Sequence, residues 1–474
     1  MTQGLVNPIV WFNPDLFCLI LIREDPHNPR HPRSKSLMLI YPELSMQSYT
    51  VKSAKGLRGE IRVPGDKSIS HRSIMFGSIA NGITRVTGFL RGEDALATLE
   101  AFRAMGVQVE DDGETLTIHG KGLHGLVEPT DVLDCGNSGT SMRLLTGLLA
   151  GQNFFSVLSG DKYLRARPMK RVVGPLAQMG ARILGRAGGD KAPLAIQGSK
   201  LKGIEYDSPV SSAQVKSAIM LAGLYAEGET VVREPHLSRD HSERMLRHFG
   251  ASVETFPGGV KLSGGVELSG RDIAVPGDIS SAAFFMVAAL IVPDSELLIR
   301  GVGINPTRTG IIDILKGMGG DLELLNPREE SGEPVADIRI RSSKLQAMEI
   351  SGELVPRAID EFPAICVAAS LAQGATVVSG AAELRVKETD RIAAMATNLR
   401  LAGVTVNETP DGMEIVGQAA LKGCAVESFG DHRIAMSMLV AGLAAQGETS
   451  VSDVECIATS FPGFLELLQG VIPS

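Results

Sequence analysis

The stretch "VPGDKSISHR", residues 63–72, reveals how the chain is organised, because its first four residues recur in "VPGDISSAAF", residues 275–284. In both copies a Pro-Gly turn precedes an Asp and a Ser-containing helix start, and proline restrains the residue before it to extended backbone. The copies differ at the next position, which is Lys67 in the first and Ile279 in the second. We interpret the pair as a duplicated structural joint with an anion site built on only one copy.

A longer repeat surrounds the two copies. After residue 60, two kinds of segment alternate. The first is an apolar Ala/Gly-rich helix followed by a strand rich in β-branched residues, and the second is an amphipathic helix that stops at Gly and leads into another strand. Examples are "AICVAASLAQGATVVSG" and "AMATNLRLAGVTVNE". The pattern recurs about six times at intervals of roughly 65 to 80 residues. Because a helix that is apolar on nearly every side must be buried, we predict an α/β fold of two globes, each with three units, helices inside and sheets outside.

The two VPGD copies divide the chain into predicted domains. We expect residues 65–275 to form one globe, and residues 47–64 together with 276–474 to form the other, because both copies would be crossings between the globes. The crossings, near 64–66 and 275–278, would act as a two-strand hinge. Ligands favour clefts between domains, so the site is expected there.

The first 46 residues differ from the rest of the chain. "VWFNPDLFCLILI" is apolar, but it is too short to span a bilayer and no basic segment precedes it. We therefore expect neither a signal peptide nor a membrane anchor. The polar stretch after it is typical of unstructured chain. Residues 1–46 are predicted to be a poorly structured extension.

Composition limits the classes of function. The chain has 474 residues and a formal charge of −8, which argues against a nucleic-acid-binding protein because such proteins present a basic face. Its five cysteines are odd in number and form no CxxC or Cys/His metal spacing, which favours a reduced, cytoplasmic compartment. We expect a monomer that acts on small anionic substrates, with no metal, no cofactor, and no nucleic-acid or membrane partner.

Polar and charged residues cluster at the N-terminal ends of the apolar helices, where free N–H groups and a partial positive charge attract anions. In the first half of the chain these motifs supply Lys67, Ser68, Arg72, Gly139, Arg167, Ser212 and Gln214. In the second half they supply Asp360, Lys387, Glu388, Arg391 and Arg433. Facing cations indicate a substrate with phosphate or carboxylate groups, and neighbouring carboxylates indicate proton transfer.

Several motifs have another interpretation when taken alone. "RVKETDR", residues 385–391, is compatible with an exposed helix laced with ion pairs. "RDHSE", residues 239–243, suggests a metal pair, but its His and Glu lie two apart and do not share a helix face. Cys135 lies beside a Gly turn and could be a nucleophile, although a half-buried apolar thiol is the commoner case.

Taken in order, the motifs resemble the 5-enolpyruvylshikimate-3-phosphate synthase family over residues 50–470. The matching motifs are "GDKSISHR", "GNSGTSMR", "RPMKR", "SAQVK", "RDHSE", "NPTR", "DEFP", "RVKETDR" and "DHRIAMS". "GDKS", "SAQVK", "RDHSE" and "NPTR" are similar to the class II branch. The resemblance implies a two-domain inside-out α/β barrel, with three βαβαββ units per domain and buried helices.

The resemblance also implies a reaction, transfer of the enolpyruvyl group of phosphoenolpyruvate to the 5-hydroxyl of shikimate-3-phosphate with release of phosphate, in the shikimate pathway. The residues implied for shikimate-3-phosphate are Lys67, Ser68, Arg72, Ser212, Gln214, Arg239, Asp360 and Lys387. The residues implied for phosphoenolpyruvate are Lys67, Gly139, Arg167, Gln214, Arg391 and Arg433. Glu388 is the candidate proton donor and acceptor at the methylene carbon, Asp360 the base on the hydroxyl, and Lys67 assists phosphate departure.

Two positions depart from the family pattern. Ser460, near "TSFPGF", stands where other members carry a substrate-binding Lys. Gly139 stands where glyphosate-tolerant class II enzymes are expected to carry Ala, which speaks against strong tolerance in this chain.

Two rival functions are compatible with some of the same residues. One is the related enolpyruvyl transferase that acts on UDP-N-acetylglucosamine, but that enzyme uses a loop Cys as its acid. No Cys of this sequence lies in a Gly-rich loop followed by an Arg-Pro pair. The other is a non-catalytic anion-binding protein, and the presence of Asp360, Glu388 and Lys67 argues against it.

Overall fold

The computed structural model describes residues 47–473, in which strands and helices alternate along the chain. The predicted extension, residues 1–46, lies outside the described residues. The strands are β1 (Ser48–Lys52), β2 (Arg58–Ile61), β3 (Asn81–Thr87), β4 (Gln108–Asp111), β5 (Thr115–Lys121), β6 (Leu133–Asp134), β7 (Phe155–Ser159), β8 (Arg182–Gly185), β9 (Lys191–Gln197), β10 (Glu205–Asp207), β11 (Glu229–Arg233), β12 (Val253–Phe256), β13 (Gly259–Ser263), β14 (Ile273–Ala274), β15 (Glu296–Gly303), β16 (Asp321–Glu330), β17 (Glu333–Arg341), β18 (Glu349–Ile350), β19 (Ala375–Val378), β20 (Thr405–Thr409), β21 (Gly412–Val416), β22 (Leu421–Lys422), β23 (Ala425–Glu427), β24 (Ala445–Gln446) and β25 (Glu448–Ser452). The helices are α1 (Lys67–Ile79), α2 (Glu93–Ala104), α3 (Gly139–Ala150), α4 (Lys170–Gln178), α5 (Arg186–Gly189), α6 (Ala213–Gly223), α7 (His241–His248), α8 (Ile279–Ile291), α9 (Gly310–Gly317), α10 (Leu354–Ala358), α11 (Phe362–Ser370), α12 (Arg391–Leu401), α13 (His432–Leu443) and α14 (Phe464–Gly470).

The four-stranded sheets of the described chain share one strand order. In each of them a first strand runs parallel to a second, the second pairs antiparallel with a third, and the third pairs antiparallel with a fourth. These sheets are β14-β3-β5-β4, β6-β7-β9-β8, β10-β11-β13-β12, β2-β15-β17-β16 and β18-β19-β21-β20. There is also a three-stranded sheet, β1-β25-β23. In it β23 runs parallel to β25, and β1, the first strand of the described chain, pairs antiparallel with β25. The α/β class predicted from the sequence is confirmed.

One helix of each repeat is buried on nearly every side, as its apolar sequence predicts. The first twelve residues of α8 are buried, and so is every residue of α13. The alternate helices are amphipathic, and α7 buries its first three residues together with Met245 and Leu246 while its other positions are less buried. Strands such as β3 alternate between exposed and buried side chains, so each sheet has a solvent-facing side.

The buried hydrophobic side chains fall into two clusters within the unit Ser48–Ser474. One cluster draws its residues from the chain between Ile69 and Val275. The other combines residues from Val51 to Val63 with residues from Ile279 to Val471. The change from one cluster to the other therefore falls at the two VPGD copies.

The two VPGD copies pair with each other through their backbones. Their glycines form an antiparallel bridge. The Asp66 N–H donates to the Pro276 carbonyl at 2.8 Å, and the Asp278 N–H donates to the Pro64 carbonyl at 2.9 Å. The two bonds relate the copies by a local two-fold symmetry, in which each copy supplies one donor and one acceptor.

Each Asp of the pair also caps the helix that comes after it. The Asp66 carboxylate accepts the Ile69 N–H at 2.9 Å, and the Asp278 carboxylate accepts the Ser280 N–H at 2.8 Å. Asp is favoured at this position because it satisfies a free N–H and complements the helix dipole. Ile279 is buried in the second cluster, so the residue after the aspartate is a core residue in the second copy.

We predict that Gly65→Ala destabilises the protein, because a Cβ at Gly65 would lie 1.9 Å from the Gly88 carbonyl oxygen. Overpacking costs roughly 1–3 kcal/mol, and the backbone neighbour here gives little room, so a loss of about 2 kcal/mol or more in the free energy of unfolding is expected in urea titrations. The control is Gly174→Ala in α4, whose Cβ would meet nothing within 4 Å. An unchanged free energy for Gly65→Ala would refute the close approach.

Candidate active site

Helix starts from both halves of the chain open onto one cavity of about 580 Å³. Twelve of the thirteen site residues predicted from the sequence line it. They are Lys67, Ser68, Gly139, Arg167, Ser212, Gln214, Arg239, Asp360, Lys387, Glu388, Arg391 and Arg433. Other charged side chains of the lining are Asp94, Arg143, Arg171, Asp278, Arg308 and Glu383.

Arg72 is the predicted residue that the described lining does not include. Its guanidinium is buried and donates to Ser242 Oγ at 2.7 Å, to Ser217 Oγ at 2.8 Å and to the Ser68 carbonyl at 2.9 Å. Arg72 therefore ties the start of α1 to α6 and α7. Direct contact between Arg72 and a substrate stays a prediction.

Lys67 begins α1 and reaches the cavity. Its ammonium pairs with the Asp94 carboxylate at the start of α2, and its backbone N–H donates to Asp278 Oδ2 at 3.2 Å. Sequence reasoning missed Asp94, because an acidic residue in the first turn of an amphipathic helix is common and carries no sign of a distant partner.

Gly139 begins α3 and keeps two arginines close to the helix start. A Cβ at Gly139 would lie 3.0 Å from Arg143 Nη1 and 3.2 Å from Arg167 Nη1. Arg143 donates to Gln214 Oε1 at 2.5 Å, and Arg167 donates to the side-chain oxygen of Asn137. The helix start and both guanidinium groups together form a positive wall.

Ser212 caps α6 beside the start of α3, and its position depends on a buried ion pair. Its N–H donates to Glu234 Oε1 at 2.9 Å, and Glu234 Oε2 accepts the Ser238 hydroxyl at 2.7 Å. Lys216 neutralises Glu234 at 3.0 Å, with both side chains buried. Glu234 thus holds two lining segments together, which sequence reasoning missed because the glutamate sits in an ordinary strand-to-loop sequence.

Asp360 lies among four cations. The Arg239 guanidinium pairs with it directly, and Lys387 Nζ and Arg391 Nη1 each lie 3.4 Å from Asp360 Oδ1. Arg433 donates to the Asp360 carbonyl at 2.9 Å. Burial alone would raise the pKa of Asp360, but the four cations outweigh it and hold the pKa well below its usual range. The carboxylate is ionised at neutral pH.

Glu388 is held in the same way. Arg391 Nη2 lies 2.7 Å from Glu388 Oε2, and Arg167 Nη1 lies 3.7 Å from Oε1. Burial favours the neutral acid, yet the charges of Arg391, Arg167 and Lys67 keep the pKa of Glu388 well below its usual range. Two ionised carboxylates therefore share a cavity rich in guanidinium groups.

His432 begins α13 and also faces the cavity. Burial, with Arg433 and Lys67, holds its pKa well below the usual value, so the imidazole is neutral at neutral pH. Its Nδ1 lies 3.3 Å from Thr459 Oγ1. Ser460 does not belong to the described lining.

Metal-binding clusters and membrane-spanning helices are both absent from residues 47–473. Within that range no group of three or more His, Cys, Asp or Glu side chains is placed to hold a metal ion. The absence of a metal or cofactor in the reaction stays a prediction. The same range contains no helix of the length and apolar character needed to cross a bilayer.

The walls of cations and the two ionised carboxylates define a class, enzymes that bind small phosphorylated or carboxylated molecules and move protons between them. The family described as EPSP synthase (3-phosphoshikimate 1-carboxyvinyltransferase) matches residues 51–468. This chain belongs to that family.

Curated relatives and solved structures carry the same description. The 3-phosphoshikimate 1-carboxyvinyltransferase of Citrifermentans bemidjiense is 86% identical over 427 residues, which are 90% of this chain and 100% of the relative. That of Geobacter sulfurreducens is 72% identical over 426 residues, 90% of this chain and 99% of the relative. A structure of EPSP synthase from Acinetobacter baumannii matches with a TM-score of 0.81 and 52% identity, covering 90% of this chain and 98% of that chain.

The predicted function is confirmed by these matches. The protein is a transferase of the shikimate pathway that moves the enolpyruvyl group of phosphoenolpyruvate onto the 5-hydroxyl of shikimate-3-phosphate and releases phosphate.

Proposed function

We propose that the transfer depends on an exchange of ion-pair partners. The cations that pair with Asp360 and Glu388 in the free protein move to the phosphate and carboxylate groups of the substrates. The observation that carries the proposal is that each carboxylate is paired with cations that the family resemblance assigns to the substrates. Arg239 and Lys387 pair with Asp360, and Arg391 pairs with Glu388. A bound phosphate or carboxylate group competes for the same guanidinium and ammonium donors.

The exchange changes the proton affinity of both carboxylates. Once the cations turn to the substrates, burial becomes the dominant influence and raises the pKa of each carboxylate. Asp360 then becomes a better base for the 5-hydroxyl of shikimate-3-phosphate. Glu388, whose neutral form is favoured in the same way, can hold the proton that the methylene carbon of phosphoenolpyruvate requires.

The addition step breaks the O–H bond of the 5-hydroxyl and the C2–C3 π bond of phosphoenolpyruvate, and it forms a C2–O bond and a C3–H bond. Glu388 enters this step protonated, with a proton taken up from solvent as the substrates bind and its pKa rises. The 5-hydroxyl oxygen attacks C2 of phosphoenolpyruvate while Asp360 accepts the hydroxyl proton and Glu388 protonates C3, which gives a tetrahedral intermediate. In the elimination step Glu388 takes a proton back from C3 and the bond between C2 and the phosphate oxygen breaks. Lys67 stabilises the leaving phosphate, which departs with the proton that Asp360 had accepted.

Substrate contacts are distributed over the walls of the cavity. Shikimate-3-phosphate is assigned to Lys67, Ser68, Ser212, Gln214, Arg239, Asp360 and Lys387, and direct contact with Arg72, which lies outside the described lining, is proposed as well. Phosphoenolpyruvate is assigned to Lys67, Gly139, Arg167, Gln214, Arg391 and Arg433. The assignment is supported by their shared lining of one cavity and by the helix starts that carry many of them.

We further propose the two-domain inside-out α/β barrel, with three βαβαββ units in residues 65–275 and three in 276–474 joined by 47–64. Support comes from the shared strand order of the sheets, the buried helices and the two hydrophobic clusters. Closure of the globes about the hinge near 64–66 and 275–278 would exclude water from the cavity. A cytoplasmic location is proposed because the described cysteines are free thiols, and a monomer is proposed from the sequence alone.

The test of this mechanism is phosphate release from phosphoenolpyruvate mixed with shikimate-3-phosphate. Asp360→Ala is expected to lower kcat by roughly 10²–10⁴-fold, the usual contribution of a general base, with modest loss of substrate affinity. The control is Asp111→Ala, which removes a surface pair with Arg91 and is expected to leave kcat unchanged. Unchanged turnover in Asp360→Ala removes Asp360 from the mechanism, and a wild-type protein that binds both substrates without releasing phosphate is an anion-binding protein instead.

Gly139 generates a second prediction, on the inhibitor glyphosate. The methyl group of Gly139→Ala would meet the tips of the Arg143 and Arg167 side chains, which are flexible enough for the fold to tolerate it. The methyl group narrows the space between the start of α3 and the two guanidinium groups. Glyphosate is longer than phosphoenolpyruvate and needs more of that space. We expect the inhibitor constant to rise at least about tenfold, equivalent to about 1.4 kcal/mol, with a much smaller rise in KM for phosphoenolpyruvate. Equal rises in both constants would contradict this explanation.

A further inference from the structure

The motif "NPTR", residues 305–308, has no role in the chemistry above, although its arginine reaches the cavity. We infer that Arg308 is a positioning residue for the transfer reaction, because it fixes the helix start that carries Lys67 relative to the segment that carries Asp360. The inference rests on the proposed function of those two residues. Arg308 would act on them through the joint between the VPGD copies.

Arg308 is buried at that joint and contacts both copies. Its Nη1 lies 3.1 Å from Asp66 Oδ2, and its Nη2 lies 3.2 Å from Asp278 Oδ1. Nη2 also donates to Ser280 Oγ at 2.7 Å. One guanidinium fork therefore bridges the two capping carboxylates, which belong to opposite crossings and to the helices α1 and α8.

The contacts of Arg308 continue directly to the reacting residues. Asp278 Oδ2 accepts the backbone N–H of Lys67 at 3.2 Å. Glu361 Oε1 lies 3.5 Å from Arg308 Nη2, and Glu361 is the neighbour of Asp360 in the chain. A shift of the Arg308 fork therefore displaces the segments that carry both Lys67 and Asp360.

The first residue of the motif ties a third lining segment to the same joint. Asn305 Nδ2 donates to Asp240 Oδ1 at 2.6 Å and to Glu333 Oε2 at 2.9 Å. Asp240 comes directly after Arg239, the direct partner of Asp360. The motif thus connects the segments of Lys67, Arg239 and Asp360 through hydrogen bonds and ion pairs that are buried or partly buried.

The joint requires the two-pronged geometry of arginine in addition to its positive charge. Asp66, Asp278 and Glu361 are buried carboxylates around one guanidinium. Burial disfavours the charged guanidinium, but these three carboxylates raise the pKa of Arg308 above its usual value, so it stays charged. A lysine in its place would keep the charge, but its single ammonium cannot span two carboxylates in the bidentate manner of arginine. Arg308→Lys therefore removes the bidentate contact with the two carboxylates and keeps the positive charge.

The experiment measures kcat, the KM of each substrate and the melting temperature of the full chain with Arg308→Lys. We expect kcat to fall at least about tenfold while each KM changes less than about threefold, the pattern of a lost alignment rather than lost binding. The matched control is Arg300→Lys, which breaks a fork to Glu60 and Asp337 outside the cavity. Arg300→Lys is expected to leave kcat unchanged.

A second variant keeps the inference testable if Arg308→Lys fails to fold. Asp278→Asn retains an oxygen to cap α8 and removes the charge that faces Arg308. It is expected to lower kcat to a similar degree with little change in either KM, and combining the two substitutions should cost no more than the larger single effect.

Each outcome has a distinct meaning. If kcat stays within about twofold of wild type in Arg308→Lys, or in Asp278→Asn where the former does not fold, the inference is overturned. It is also overturned if kcat falls only in proportion to the folded fraction. A wild-type protein that releases no phosphate would instead contradict the proposed function.

Discussion

Two backbone hydrogen bonds between the VPGD copies govern how the two halves of the chain are arranged. They bring Asp66 and Asp278 side by side, so that α1 and α8 start from one point although they lie in different hydrophobic clusters. A helix start directs free N–H groups and a partial positive charge outward. The joint therefore sets where the two halves of the chain meet and brings both helix starts to that meeting place.

The two VPGD copies differ in the residue after the aspartate. This residue is part of the hydrophobic core in one copy and of the cavity in the other. Ile279 enters the core of its cluster and brings no charge to the cavity. Lys67, at the matching position, reaches the cavity and pairs with Asp94. In the proposed mechanism, the cations around Asp360 and Glu388 keep both carboxylates ionised until anionic substrates compete for those cations, so substrate binding prepares the base and the acid.

Much of this arrangement could be predicted because the signals are local. Asp before a helix, Gly after it and cations in its first turn are recognisable from nearby residues, and twelve of the thirteen predicted site residues line the cavity. The remainder depends on contacts between distant segments. The Arg72 guanidinium donates to Ser217 and Ser242, which lie 145 and 170 residues further along the chain. Arg308 donates to Asp66, from which it is separated by 242 residues. Likewise β1 completes the last sheet by pairing with β25, which no local pattern of β1 reveals.

The variant Lys67→Ile gives the first VPGD copy the residue of the second. It is therefore the sharpest test of the claim that both copies shape the fold and only the first contributes a reacting side chain. We expect phosphate release to fall by roughly 10²–10³-fold or more, the usual effect of losing one electrostatic contact to developing charge. The variant should still unfold in one cooperative transition, as should the control Lys52→Ile, which breaks an exposed pair with Glu448 and keeps full turnover. Turnover within about tenfold of wild type in Lys67→Ile, or loss of the cooperative transition, would contradict this division between structure and chemistry.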